Sequence, residues 1–173
     1  VPDDPVKWPL VECLPVLGHI LQRNSGISED WNRVKRNLWR GFWSNAGCKQ
    51  LRKCGIKEKL QLLTRTVLSL VLFKMSRWPF QQTVAESLDA LQCKMISYMR
   101  KCPRFVSESI EQYCNRRSRE ARGVAARCGY WSKIWAKRVT LWHEHLTRAE
   151  CYSNPCSIMI RARSLDWWQR RRG

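Results

Sequence analysis

The chain is 173 residues long and carries 32 Lys+Arg against 14 Asp+Glu, a formal net charge of +18. With 44% hydrophobic residues and ten tryptophans it is too apolar for a disordered basic tail, and its length supports one domain, or a domain with a small appendage. So much charge of one sign on a compact body repels itself unless a polyanion neutralises it, which points to a folded nucleic-acid or anionic-membrane binder and away from an ordinary metabolic enzyme.

The first 27 residues differ from the rest. Pro2, Pro5, Pro9 and Pro15 disfavour helix interiors. Residues 10–14 and 16–21, followed by the turn signature Asn24-Ser25-Gly26, fit two short strands paired as a β hairpin. Such a unit is marginal alone and is expected to pack on something larger.

From Ser28 the pattern turns helical. Ser28 is placed to cap a first helix, with Glu29 and Asp30 complementing the dipole in its first turn. Trp31, Val34, Leu38 and Phe42 recur at helical spacing, Gly47 ends the helix, and a basic loop over residues 49–53 follows. A second helix is expected over residues 56–78, stopped by Pro79. Ile56, Leu60, Leu63, Val67 and Leu70 form its stripe, and its middle is apolar all round, which marks a central buried helix. The third, over 83–101, has the cleanest spacing: Val84, Leu88, Leu91, Met95, Tyr98 and Cys102, closed by Pro103. Three helices with short connections make a bundle.

Beyond Pro103 the chain is more basic: residues 98–173 hold 17 Lys+Arg and 6 Asp+Glu. A helix over 107–127 carries Arg116, Arg117, Arg119 and Arg122, with Gly129 as its C-terminal cap. Another, over 130–148, places Trp131, Trp135, Val139, Trp142 and Leu146 on one face. The tail, which includes Trp167-Trp168 and a run of three arginines, is either helical or frayed. The expected fold class is all-α: a helical bundle whose three-helix core spans residues 28–101, with a short N-terminal β hairpin and a basic helical C-terminal extension. The segments are 1–27, 28–103 and 104–173.

Nine cysteines, an odd number spread along a chain that opens without a secretory leader, argue against a disulfide framework. They point to an intracellular, reducing compartment, nucleus or cytoplasm, and to thiols that serve mostly as buried apolar groups. The longest apolar run, residues 67–73, is far short of the roughly 20 residues a bilayer requires, so no transmembrane helix is expected; of the two polyanion partners nucleic acid is taken, and no membrane.

Catalysis lacks its acids. The aspartates are Asp3, Asp4, Asp30, Asp89 and Asp166, and only Asp3-Asp4 is a tandem pair of the type that gathers magnesium for phosphoryl transfer. No lysine stands two residues after a carboxylate, and no phosphate-cradling glycine loop or nucleophile elbow occurs. His143, His145, Cys151 and Cys156 bring four zinc-type ligands into fourteen residues. The two histidines, however, lie two apart on a helix and point to different sides, so packing in the core is the stronger reading and zinc stays open. The basic residues carry more. Arg33, Lys35, Arg36, Arg40, Lys49, Arg52 and Lys53 in the first half, and Arg116, Arg117, Arg119 and Arg122 in the second, form clusters of one sign with few acids near them. A surface of that kind releases counterions from phosphates and binds nucleic acid in a salt-dependent, sequence-tolerant way. Tryptophans can stack on bases, but most of these have core spacing; Trp167-Trp168 stay open.

The order of features carries a resemblance. Residues 16–21 (Val-Leu-Gly-His-Ile-Leu) leading into Asp30-Trp31-Asn32-Arg33-Val34 resemble the segment after the palm in reverse transcriptases of non-LTR (LINE-type) retrotransposons. Residues 57–63, running through 67–73 to Arg77-Trp78-Pro79, are similar to that family's next helix, and residues 88–95 to the one after it. Trp131, Trp135, Trp142, His145 and Arg148 resemble the family's stretch downstream of the thumb. The match covers about residues 10–150. It implies a thumb and post-thumb region that grips primer–template duplex, RNA–DNA hybrid included, by backbone and shape, with the palm and fingers of the same polyprotein as partners. The catalytic motif of the family, an aromatic, any residue, then Asp-Asp, is not matched by Val1-Pro2-Asp3-Asp4, so no polymerase role is carried over to Asp3 or Asp4. The chain is therefore expected to be a C-terminal fragment of an RNA-directed DNA polymerase, or a degenerate copy, with no catalytic site. Magnesium would belong to the absent palm, so no cofactor is expected here. A stand-alone basic helical module that binds nucleic acid, and a non-functional remnant, are the rival readings.

Overall fold

The computed structural model describes residues 12–16, 19–22, 27–46, 53–76, 78 and 80–148. Over these the chain is mostly helical. Two short segments, β1 (Cys13–Val16) and β2 (His19–Gln22), pair antiparallel with Cys13 opposite Gln22. Leu14 of β1 is 49% exposed, and the hairpin expected at the start of the chain is not supported beyond this pairing.

Helix α1 (Ser28–Ser44) buries the stripe read from the sequence, Trp31, Val34, Leu38 and Phe42. Ser28 is not its cap. Ile27 holds that position and makes no side-chain cap bond, so the first turn relies on Glu29 and Asp30 near its positive end. At the other end Asn45 Nδ2 donates to the Gly41 carbonyl at 2.8 Å; Gly47, expected to end the helix, lies outside the described residues.

The second helix is wound in three parts: α2 (Ile56–Leu62), a π-helical stretch Leu63–Leu68, and α3 (Ser69–Met75). Here the expected stripe is only half right. Leu63 and Val67 are buried, but Ile56 and Leu70 are 40% and 55% exposed, and Leu68, Val71, Leu72 and Met75 are buried instead. The wide turns explain it. Buried positions 63, 67, 71 and 75 recur strictly every four residues, and such a spacing stays on one face only if turns hold more than 3.6 residues. Side-chain hydroxyls take carbonyls of these turns: Thr66 Oγ1 donates to the Leu62 carbonyl and Ser69 Oγ to that of Arg65, each at 2.7 Å. The run ends at Met75, and Pro79 lies outside the described residues.

Helix α4 (Gln82–Arg100) buries Val84, Leu88, Leu91 and Met95 as spaced, but Tyr98 is 49% exposed. The chain leaves α4 through Lys101, whose φ of 46° is left-handed. Helix α5 (Ile110–Cys128) starts at a reciprocal cap: Ser109 Oγ accepts from the Gln112 amide at 3.1 Å and Gln112 Oε1 from the Ser109 amide at 3.0 Å. Gly129, at φ 87°, ends it as expected. Its buried face is narrow, only Ala121, Val124 and Ala125, and such small side chains let it lie close along α4.

Helix α6 (Trp131–Arg148) buries Trp131, Trp135 and Val139; the Leu146 side chain lies outside the description. Its first turn is capped from α4. Asp89 accepts from the Ser132 amide at 2.9 Å and from the Ser132 hydroxyl at 2.6 Å, while Gln92 accepts from the Trp131 amide. Trp135 Nε1 donates to the Met75 carbonyl at 2.6 Å, satisfying one of the open acceptors at the end of α3. One core cluster holds residues from α1 through α6, on both sides of Pro103. Among the described residues no helix is long and apolar enough to cross a membrane.

Candidate nucleic-acid interface

The eleven candidate basic residues fall into three groups. On α1, Arg36 and Arg40 are exposed, while Arg33 and Lys35 are half-buried; the Lys35 ammonium lies 5.8 Å from the Trp31 ring centroid, a cation–π contact. Lys53 is exposed just ahead of α2, and Lys49 and Arg52 lie outside the described residues. On α5, Arg119 and Arg122 are exposed, and Arg116 and Arg117 are half-buried.

Arg116 has a different task from its neighbours. Its Nε and Nη2 each donate to Glu108 at 2.8 Å, Nη2 also to the Pro103 carbonyl at 2.8 Å, and Nη1 to Glu120 at 3.4 Å. Its guanidinium also covers the Phe105 ring at 4.3 Å. Fork-shaped donors matched by two carboxylates make it the hub of the α4–α5 connection rather than an open phosphate contact. Two further bonds belong to the same knot: Arg100 Nη2 donates to Glu120 at 2.9 Å, and Tyr113 Oη to the Cys102 carbonyl at 3.0 Å. The Arg116 hydrogen bond holds the Glu108 carboxyl below the usual carboxylate range. For Glu120 the main cause in the same direction is the Cys102 thiol, 3.2 Å away, with Arg100 and Arg116 adding to it.

Arg117 and Arg122 are brought together in a groove of about 640 Å³ between α4 and α5, which Trp39 of α1 also lines. Lys94 and Tyr98 of α4 line it as well. The Arg117 guanidinium lies 5.5 Å from the Tyr98 ring centroid, and its buried Nε has no acceptor among the described residues. Asp89 is an acid of this lining, and it is engaged by Ser132. Arg119 and Arg122, with Arg116, line a second cleft, formed by α5 and residues 105–108. The α1 cations line neither. Sequence reasoning missed Lys94 and Tyr98: Tyr98 was assigned to the core stripe, and its position four residues after Lys94 on one helix face was the available signal.

Five cysteines among the described residues are free thiols. Cys54, Cys114 and Cys128 are exposed and Cys93 and Cys102 half-buried, which corrects the expectation of mostly buried thiols; burial, reinforced by Asp89, pushes the Cys93 thiol up. Among the described residues no group of three or more His, Cys, Asp or Glu can hold a metal ion. The His143 and His145 side chains, Cys151, Cys156, Asp3 and Asp4, and the Trp167-Trp168 pair lie outside the description. Comparison with protein-family models, curated proteins and solved structures finds no match to this chain.

Proposed function

We propose that the chain binds a nucleic-acid duplex through its phosphate backbone, as the thumb-like and post-thumb part of a retrotransposon reverse transcriptase without a catalytic palm. The observation that carries this reading is the outward side of α5. Arg119 and Arg122 are exposed there, neither in an ion pair with a described residue, on a chain of net charge +18. Exposed Arg36 and Arg40 on α1 add a second row. Fixed guanidiniums on helices suit phosphate contacts, which position a duplex without reading its sequence. The thumb assignment rests on the order of motifs from residue 10 to residue 150. A stand-alone module that grips the same duplex without a palm is the second reading, and the single core running from α1 to α6 favours it.

The test is binding of the chain to a short RNA–DNA hybrid at several salt concentrations. The expected result is sequence-independent binding whose logarithm falls linearly with the logarithm of salt, steeply enough for several phosphate contacts. Undetectable binding at low salt overturns both readings. An aromatic-x-Asp-Asp palm in frame upstream of the coding sequence would select the first over the second.

A further inference from the structure

The groove between α1, α4 and α5 has a wall that phosphate contacts alone do not use. Trp43 and Tyr98 are 52% and 49% exposed. Trp39 and Trp43 lie nearly parallel, at 21° with centroids 6.3 Å apart, and Tyr98 meets Trp43 edge-on at 5.5 Å and Trp39 at 5.9 Å. Trp39 and Tyr98 line the groove beside the cations Lys94, Arg117 and Arg122, and Trp43 continues their apolar surface next to it; an apolar patch with a charged rim is the kind that marks a binding site. The groove's 640 Å³ lies within the size range of small-ligand sites.

A duplex does not fit this wall, because its bases are stacked on one another and show only their edges. An unpaired base exposes a π face that an aromatic side chain can cover, while the adjoining phosphate needs a cation at short range. Tyr98 already carries the Arg117 guanidinium beside its ring, and Arg117 Nε has no acceptor among the described residues. The acid in the lining, Asp89, already accepts two hydrogen bonds from Ser132.

We infer that this groove holds an unpaired nucleotide of a nucleic-acid single strand, its base on the Trp39 and Tyr98 rings that line it and its phosphate on Lys94, Arg117 and Arg122. The site rests on the reading of the chain as a nucleic-acid binder and adds a single strand to the duplex assigned above.

Fluorescence anisotropy of the full chain with three probes tests it: an oligothymidylate, an abasic strand of equal length, and a blunt duplex. The wild-type chain should prefer oligothymidylate to the abasic strand by roughly 5- to 150-fold, the range of one base–aromatic stack. Tyr98→Leu should abolish that preference and leave duplex affinity within about twofold, as Arg119→Gln, outside the groove, should not. Trp39→Leu, at the other ring of this wall, serves the same purpose if circular dichroism shows Tyr98→Leu to be misfolded. Equal binding of the thymidylate and abasic strands, or a preference that survives both substitutions, overturns the groove site while duplex binding stands. Failure to bind any of the three probes removes the duplex reading with it.

Discussion

Gln92, in the middle of α4, holds both sides of the turn between α5 and α6: its Oε1 accepts from the Trp131 amide and its Nε2 donates to the Gly129 carbonyl, each at 3.1 Å. Gln92 is 3% exposed, so water cannot replace either bond at low cost.

Substituting Gln92→Leu keeps volume and burial but orphans an amide and a carbonyl. The expected loss is about 2 to 6 kcal/mol of stability, from two groups at about 1 to 3 each. Urea unfolding should show it as a lower midpoint with an unchanged slope. An unshifted midpoint would mean that α6 is held by its buried tryptophans alone.

Acid should loosen the connection between α4 and α5. Glu108 and Glu120 have carboxyls held below the ordinary value of about 4.5 in the folded chain. A carboxyl lowered by folding contributes stability that is complete above its unfolded value and disappears as pH falls through its folded one. Stability should therefore fall as pH drops below about 4.5, and a Glu108→Gln variant, already lacking part of the contribution at neutral pH, should lose less over the same interval. Urea midpoints measured from neutral to acid pH would decide; parallel curves for the two proteins would contradict the assignment.

Two backbone positions point in opposite directions. A Cβ at Gly123 in α5 would meet only the Arg127 guanidinium, at 3.9 Å, so Gly123→Ala should stabilise by about 0.5 to 1 kcal/mol through helix propensity. Lys101 sits at φ 46°, ψ 49° at the end of α4, a conformation that disfavours a side chain by roughly 1 to 2 kcal/mol, and Lys101→Gly should stabilise by a similar amount. Thermal melts of both variants should move upward. A downward shift for Lys101→Gly would show that its side chain contributes more than its backbone costs.

Arg116 and Arg119, three residues apart, should separate in a binding experiment. Arg119→Ala should weaken duplex binding evenly across sequences and reduce the salt slope by about 1. Arg116→Ala should leave the slope unchanged and lower the urea midpoint, because its donors serve Glu108, Glu120 and Pro103. A reduced slope for Arg116→Ala would place it back among the phosphate contacts.

The helices were legible because their apolar positions repeat cleanly: Trp31, Val34, Leu38 and Phe42 on α1, and Val84, Leu88, Leu91 and Met95 on α4, are all buried. The second helix was legible as an element but not in its face, since a hydrophobic stripe assumes 3.6 residues per turn and residues 63–68 do not obey it. Four of the candidate site residues lie in one run, 116–122, and there composition could not separate roles. Arg116 and Arg117 are adjacent and chemically identical; only the position of Glu108, eight residues before Arg116 across a turn, makes one a tie and leaves the other beside Tyr98. Tyr98 itself had core spacing, yet it is 49% exposed and lies against Trp39 and Trp43 of α1.

The anchoring of α5 bears on what the chain can tell apart. The helix is moored at its start by Tyr113 and Arg116, in its middle by Glu120, and just past its end by Gly129, while small residues seat it on α4. Arg119 and Arg122 therefore stand on a fixed ruler instead of on a pliable arm, and little backbone entropy is left to lose when they meet a partner. A floppy polyphosphate of equal charge density would have to be straightened to match that ruler, whereas a stiff helical polyanion already has a set spacing. Selection among polyanions would then come from rigidity on both sides, and heparin-like or polyphosphate competitors should displace a duplex less well than their charge suggests.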